Sequence, residues 1–559
     1  MTRNHSIPGW GNAFVLLSAM LLCGLLSVHF GKELQWDLVS YHYYNPYALF
    51  HHRLNFDYWP AGYIHIFFNP AMDFLGYFLI RSFSPWWAEF ILGAIHGINF
   101  WLIFYLSYFI LSLAQEKFKM IIAFILALVG MYGPVSFSEI GSFMGDNLIS
   151  IFVLLSILLQ VMLFDRYYAN QKNFLRLSIA SGLLLGMAVG LKLTAAYFVL
   201  GMLVAYLFLP IPYVVRFKMI FVWSVALGFG FLLVYGYWMI FLWQKYHNPF
   251  FPLLNGIFHS PYFPAYNWYD NQFFPRNTLQ TFFYPFYFSI NGELVSDYFF
   301  MDFRFSVIYI LVFLAGLCWL WRSLRQTISK KNDIDRWFIV FFITSYVIWQ
   351  CYFSNIRYLV TLEMLAPLMI YLLLNYIIHN PYYRLGIMGV LFYVIFVAVW
   401  PIYRERVHFF GKDYFNVTLP GFAYQYQDAM VLTVTSNFAG KFANETEILP
   451  ILAAKKALRS PAVLLQTYVI PYFPPKTRFV GVTIMDDHYA ISLPAKKLIA
   501  EHQGHFYLLT SRRNMPSFLR FAQVLGLQKN GACGKVLSDR LRLPHMRNSA
   551  VLLCSVGRN

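Results

Sequence analysis

Charged residues are scarce in this chain. Asp, Glu, Lys and Arg make up only 12% of 559 residues, against about a quarter in soluble domains, and that shortage excludes an ordinary water-soluble globule. Acidic residues are the scarcer sign, 25 against 42 Lys and Arg. Also missing are a phosphate-cradling P-loop, a glycine-rich dinucleotide turn, a Ser-His-Asp order and a Cys-x-x-Cys pair. Soluble nucleotide chemistry therefore has no sequence support, and the energy for any reaction must arrive with the substrate. What is abundant is apolar surface: 59% of residues are hydrophobic and the mean hydropathy is +0.53. The chain reads as a polytopic membrane protein. Its net charge of +17 points away from nucleic acid, because no nucleic-acid-binding signature accompanies it and the basic residues collect in short loops between apolar runs.

Windows long enough to cross a bilayer lie near residues 12–30, 87–114, 119–135, 147–164, 175–190, 193–212, 219–243, 305–321, 337–353, 357–379 and 385–402. The stretch from Ile64 to Phe83 carries Asn69, Pro70, Asp73 and Arg81 and is expected to be interfacial or re-entrant. About eleven spans then put Lys117/Lys119, Arg166/Lys172/Arg176, Arg216/Lys218, Arg322/Arg325/Lys330/Lys331/Arg336 and Arg384 on one side, as the positive-inside rule requires. The first span follows Arg3 and has no small-x-small cleavage signal before Gln35-Trp36, so an uncleaved anchor with a cytoplasmic amino end is expected. The fold class is a mostly α, polytopic membrane helix bundle over residues 1–402, followed by a soluble α/β domain over 403–559. In that tail, 462–469, 478–484, 506–510 and 550–556 have strand character, while 493–502 and 516–525 have helical spacing. On this topology the tail is extracytoplasmic. Cys533 and Cys554 then stand where disulfides persist and are expected to pair, the alternative being two buried thiols; Cys23, Cys318 and Cys351 fall within spans.

The polar residues that break the apolar pattern fall on the extracytoplasmic side. Asp37, in Gln35-Trp-Asp-Leu-Val-Ser-Tyr41, follows the first span and is crowded by Trp36, Tyr41, His42, Tyr43, Tyr44 and Tyr47. It reads either as a helix-end residue or as a base kept near the membrane for use. The aromatic residues suit a headgroup-level belt, and the same rings could stack on a lipid-linked sugar. His42, His51, His52 and Asp57 raise a divalent metal as an option, although their spacing matches no closed zinc pattern and no cofactor is required. Asp146, in Gly145-Asp-Asn147, opens a span and reads either as capping chemistry or as a site acid. Lys192, in Gly190-Leu-Lys-Leu-Thr194, is a lone cation in a tight turn. Arg357, in Ser354-Asn-Ile-Arg-Tyr358, repeats that situation, with Glu363 further along the same predicted helix. Together they read as a phosphate clamp beside a carboxylate, or as a buried ion pair. The proline-rich loop from Asn248 to Pro264 cannot be a regular helix and is expected to be ordered, irregular and aromatic.

Trp36-Asp37, Gly145-Asp146-Asn147, Gly190 to Thr194, Asn248 to Pro264 and Arg357-Tyr358 with Glu363 resemble, in order and shared sidedness, bacterial polytopic glycosyltransferases of the GT-C superfamily, over about two thirds of the chain. The resemblance implies a conserved helical module and a sugar donor carried on polyprenyl phosphate or pyrophosphate. It implies inverting transfer outside the cytoplasm, onto a glycan, lipid or protein acceptor, in a bacterial inner membrane. By it Asp37 would be the general base, while Asp146, Lys192, Arg357, Glu363, Tyr41 and Tyr358 would contact substrate. Leu38 follows Asp37, so the paired acids of protein O-mannosyltransferases are absent, and the Trp-Trp-Asp signature of oligosaccharyltransferases is missing. Two other classes stand beside this one. A transporter or flippase of polyprenyl-linked glycan would show repeated broken helices in both halves, which the sequence does not display. A scaffold with a catalytically dead membrane part would tolerate Asp37→Asn.

Overall fold

In the computed structural model the chain is mostly helical, with a strand-containing carboxyl-terminal region. The structure describes residues 9–60, 63–114, 116–169, 174–267, 270–324, 333–402, 405–434, 446–452, 467–485, 488–543, 546 and 550–558. Arg325, Lys330, Lys331 and Lys172, and residues 462–466 of one expected strand, lie outside the described residues. The chain divides into two compact units that interleave in sequence: Met1–Ser27, Phe90–Tyr237 and Tyr269–Arg404 form the first, and Val28–Glu89, Trp238–Trp268 and Glu405–Asn559 the second.

Among its described residues the first unit is built mainly of helices. Every one of the eleven apolar windows falls on helix, but among the described residues seven helices are long and apolar enough to cross a membrane: Trp10–Phe30, Pro85–Leu113, Asp146–Tyr168, Tyr213–Tyr246, Arg304–Ser323, Ile356–Ile377 and Pro381–Ala398. That is the make-up of a multi-pass membrane protein. The count of eleven is not reached on length and composition. Lys119–Met131 has 13 residues, a rise of about 20 Å against a hydrocarbon core of about 30 Å, Leu175–Leu191 and Leu193–Leu207 are also short, and Asp333–Tyr352 carries Asp333, Asp335 and Arg336 in its opening turn.

Burial sorts these helices. Ile356–Ile377 is the central one, with 83% of its best window buried, whereas Pro381–Ala398 has 22%. Phe217, Phe221, Val225 and Phe229 follow each other at four-residue spacing, each more than half exposed, a stripe that water would penalise and lipid accepts. Helix contacts use small residues. Gly182, Gly186 and Gly190, also four apart, sit so close to the helix Tyr213–Tyr246 that an added Cβ would come within 2.4 Å of Trp223 O, Leu227 O or Val234 Cγ2, the small-residue packing that lets helices approach where no hydrophobic effect drives them together. Starts are set by local chemistry: the Asn380 side chain accepts from Tyr382 N at 2.9 Å, with Pro381 at the first helical position.

The second unit holds a seven-stranded mixed sheet. Residues Lys32–Glu33 (β1) and Arg406–Val407 (β2) form a separate two-residue antiparallel ladder. The sheet itself comprises Met430–Val434 (β3), Thr446–Leu452 (β4), Arg478–Met485 (β5), His488–Ser492 (β6), Phe506–Ser511 (β7), Leu527–Val536 (β8) and Val551–Arg558 (β9), in the order β4-β6-β5-β3-β7-β9-β8. β3 runs parallel to β5 and β7, the other pairings being antiparallel. Helices Leu493–Glu501 and Met515–Val524 are where the sequence places them, as are β5, β7 and β9, whereas Thr467–Tyr472 is a 3-10 turn and not the end of a strand. Phe518, Phe521, Val480, Leu508 and Val556 share the core. Cys533 and Cys554 are register partners and are joined by a disulfide.

The loop after the first apolar helix belongs to this second unit. Tyr58 N donates to Phe479 O and Gly481 N donates to Tyr58 O, both at 2.8 Å, so the loop pairs with the stretch of β5 that precedes the residues paired to β6. Beneath it, buried Arg53 and Asp57 are paired at 2.7 Å. Asp57 also accepts from Phe479 N at 2.9 Å and Tyr44 Oη at 2.8 Å, and Arg53 donates to Thr477 O at 2.6 Å. The segment 64–83 is no single span: 3-10 turns Tyr63–Phe67 and Pro70–Asp73 precede a nine-residue helix, Phe74–Ser82.

Candidate functional site

Three helix ends of the first unit meet at Asp146. Gly145 takes a left-handed φ of 82° and releases the chain into the helix Asp146–Tyr168, which sets Asp146 at the helix start. Lys192 sits at the extended break between Leu175–Leu191 and the turn Leu193–Ala195, its backbone N–H still donating to Ala188 O. Arg357 lies in the 3-10 turn Ile356–Leu359, which Asn355 caps by accepting from Arg357 N at 3.1 Å. The three side chains converge. Lys192 Nζ is paired with Asp146 Oδ1, Arg357 Nε stands 3.5 Å from Asp146 Oδ2, and the Lys192 ammonium lies 5.4 Å from the centre of the Tyr358 ring. The Asp146 side chain is 5% exposed while Lys192 and Arg357 keep 15% and 22%. The carboxylate is thus held inside and both cations retain an open side.

Two supports for this cluster had no sequence signal. Tyr197 donates its hydroxyl to Tyr358 O, and Ser150 and Thr361 hydroxyls meet at 2.9 Å, joining the helices that carry Asp146 and Arg357. A tyrosine and two hydroxyl residues inside apolar helices look like interfacial or back-bonding residues until the partner helix is known. Arg357 stands at ion-pair distance from an acid, Asp146, whose carboxylate also pairs with Lys192, so Asp146 does more than open its own helix.

Glu363 does other work. Fully buried, it accepts from Ser136 N at 2.8 Å and Ser136 Oγ at 2.7 Å, serving the amino end of the short helix Pro134–Ser138. Its own backbone carbonyl receives the buried Arg304 guanidinium at 3.1 Å, and Arg304 is in turn 2.7 Å from Asp302. This is an anchoring set: Ser136 engages Glu363 Oε1, and Val135 N donates to Oε2 at 3.4 Å, so the carboxylate proposed as a substrate contact already serves this helix start.

Asp37 and Tyr41 belong to the second unit. Asp37 precedes a wide helical turn, Leu38–His42, and makes no side-chain capping bond to it, so helix capping does not account for the carboxylate; it is partly exposed. Tyr41 is buried and stacks on His65 at 4.6 Å, and Trp36 meets the same imidazole edge-on at 5.7 Å. The histidines suggested for a metal are dispersed among other partners. His42 Nδ1 pairs with Asp73 at 2.6 Å, Asp57 serves Arg53, and His51 lies 3.3 Å from Tyr77 Oη, with burial and the nearby Arg81 and Arg53 charges holding its imidazole below the ordinary value. Among the described residues no group of three or more His, Cys, Asp or Glu could hold a metal ion. Of the residues read as a site, then, Asp146, Lys192, Arg357 and Tyr358 form one cluster, Glu363 anchors a helix start, and Asp37 with Tyr41 forms a carboxylate beside an aromatic nest. The chain matches no protein-family model, no curated protein and no solved structure.

Proposed function

We propose that this chain is a polytopic membrane glycosyltransferase of the GT-C kind, moving a sugar from a polyprenyl-phosphate donor to a hydroxyl acceptor on the extracytoplasmic side of a bacterial inner membrane. The observation that carries the reading is the Asp146–Lys192–Arg357 cluster. Two cations with open sides, supported from behind by one carboxylate, at helix ends of an apolar bundle, suit a phosphate group attached to a lipid. An arginine fork matches two phosphate oxygens and the ammonium adds a point charge. In the reaction the acceptor oxygen attacks the anomeric carbon, and the bond from that carbon to the phosphate oxygen breaks. The electron pair leaves with the phosphate, where Lys192 and Arg357 stabilise it. The acceptor proton passes to a base, and Asp37 is assigned that role because the resemblance places it there. The eleven crossings and the extracytoplasmic tail belong to the same proposal.

The test is transfer from a short-chain polyprenyl-phosphate sugar by protein in lipid nanodiscs. Asp37→Asn should keep the protein folded and slow transfer at least about a hundredfold, the low end for a positioned general base. Asp37→Asn activity within a few-fold of wild type would remove the catalytic assignment, and absence of transfer with every polyprenyl-linked sugar tried would return the chain to the flippase class.

A further inference from the structure

The sheet of the second unit carries an organised aromatic and amide surface that plays no part in the transfer chemistry above. The segment Tyr424-Gln-Tyr-Gln-Asp428 is exposed at every residue, with Tyr424 at 51% and Tyr426 at 42%. Alternating rings and amides on a water-facing loop are not a solvated charge run.

The loop is held from below. Thr418 and Leu537 exchange both backbone bonds just before it, and Tyr507 Oη donates to Phe422 O at 2.6 Å within the turn Gly421–Tyr424. Tyr426 then lies flat on His505, with ring centres 4.0 Å apart and planes 14° from parallel. The imidazole is itself fixed. The Ser555 hydroxyl donates to Asn530 Oδ1 at 3.0 Å, so His505 Nε2, 2.8 Å from Ser555 Oγ, is the protonated nitrogen and donates to that oxygen. Asn530 reaches Ser555 because the β8–β9 ladder slips: from the pair Lys529 and Val556 to the pair Cys533 and Cys554, β8 advances four residues while β9 advances two. Bulges of this kind re-aim a side chain, and here the disulfide Cys533–Cys554 closes the ladder at the far side of the bulge. A chain of contacts thus runs from Asn530 through Ser555 and His505 to the underside of an exposed tyrosine.

We infer that this surface is a second binding site, and that it takes a neutral oligosaccharide. A sugar presents a C–H face to an aromatic ring and hydroxyls at its edge. Tyr426 backed by His505, with Tyr424 beside it in sequence, supplies rigid ring area at low entropic cost, and Gln425 and Gln427 supply amides that both donate and accept. The side chains offered by Tyr424, Gln425, Tyr426 and Gln427 carry no formal charge, so the contact surface itself matches an uncharged ligand. Fixing the ring in advance spares the ordering cost of binding. In a protein that transfers sugars such a surface would hold a growing glycan, but it stands on its own residues, and its test does not use transfer.

The experiment is binding of fluorescein-labelled cellohexaose and chitohexaose to the full-length protein in lipid nanodiscs, with a labelled hexa-glutamate and a labelled Tyr/Gln-rich decapeptide as comparisons. Saturable binding of at least one hexasaccharide is expected, weakened about tenfold by Tyr426→Ala and about twofold or less by Tyr426→Phe, as loss or retention of one stacked ring predicts. Ser555→Ala, which frees the imidazole, should weaken it about threefold, the scale of one lost neutral hydrogen bond. Asp37→Asn should leave it unchanged even if transfer is abolished, so this site and the transferase reading can fail separately. Absence of saturable hexasaccharide binding, binding indifferent to Tyr426→Ala, or binding of the peptide alone would each overturn the proposal.

Discussion

If Lys192 and Arg357 are a phosphate clamp held back by Asp146, removing the carboxylate should weaken the protein and strengthen anion binding at once. At 3.5 Å two unit charges attract by about 5 kcal/mol at an effective dielectric constant of about 20. Truncating one partner of a fully buried pair costs about 3–5 kcal/mol. The cations here keep 15% and 22% exposure, so water relieves part of that penalty and about 1–3 kcal/mol is expected for Asp146→Asn. The local charge meanwhile rises from one net positive to two. Relief of the competition with Asp146 by only a quarter of the Coulomb figure would tighten a bound phosphate about tenfold. The assay is titration of nanodisc-embedded protein with farnesyl phosphate, beside chemical denaturation of the same samples. Asp146→Asn should bind more tightly while unfolding more easily, and Lys192→Ala and Arg357→Ala should bind about tenfold more weakly or worse, as loss of a charge-assisted contact implies. A weaker titration for Asp146→Asn, or unchanged titrations for both cation variants, would show the cluster to be an ordinary structural ion pair and remove the observation on which the transferase reading rests.

Other outcomes follow from the same structure. Gly133→Ala should abolish recovery of folded protein by size-exclusion chromatography, because the new methyl would lie 1.8 Å from Glu363 Oε1, a carboxylate already fixed by Ser136; normal recovery would mean that the helix start can move. Cys554→Ser should cost the second unit about 3 kcal/mol in a denaturant titration read by hydrogen exchange in β7 and β9, from opening a loop with a sequence separation of 21, and an unchanged midpoint would contradict that estimate. Burial holds His502 and His505 below their ordinary value of 6.5, so each contributes stability that is present above about pH 6.5 and lost as pH falls below it through the lower folded value; protection of β7 from exchange should fall as pH drops below about 6.5, and His505→Gln should flatten part of that slope. A cysteine placed at Val524, which is 55% exposed, should react with an impermeant maleimide once the outer membrane alone is opened, and labelling that needs a broken inner membrane would reverse the assigned orientation.

How much of this was legible in the sequence depended on whether the signal was local. The helices were, because an apolar run announces itself without reference to anything distant. So were β5, β7 and β9, which are dense in β-branched and aromatic residues. β8 was not: Leu527–Val536 reads Leu-Gln-Lys-Asn-Gly-Ala-Cys-Gly-Lys-Val, and it is a strand because β9 and the disulfide hold it in register, so tertiary pairing overrides a poor local preference. The same distinction divides the site. Asp146, Lys192 and Arg357 stood out as lone charges in apolar surroundings, and burial cost alone requires such groups to find each other or a ligand. Glu363 stood out for the same reason, yet its partner is the hydroxyl and backbone of Ser136, 227 positions away, which carries no charge and so sends no signal. An isolated charge in a membrane protein therefore tells that it has a partner but not which kind. What separates Asp146 from Glu363 is that the first is answered by two cations with open sides and the second by a helix start that uses its acceptor oxygens. Only the first has cations that keep exposed surface, 15% for Lys192 and 22% for Arg357.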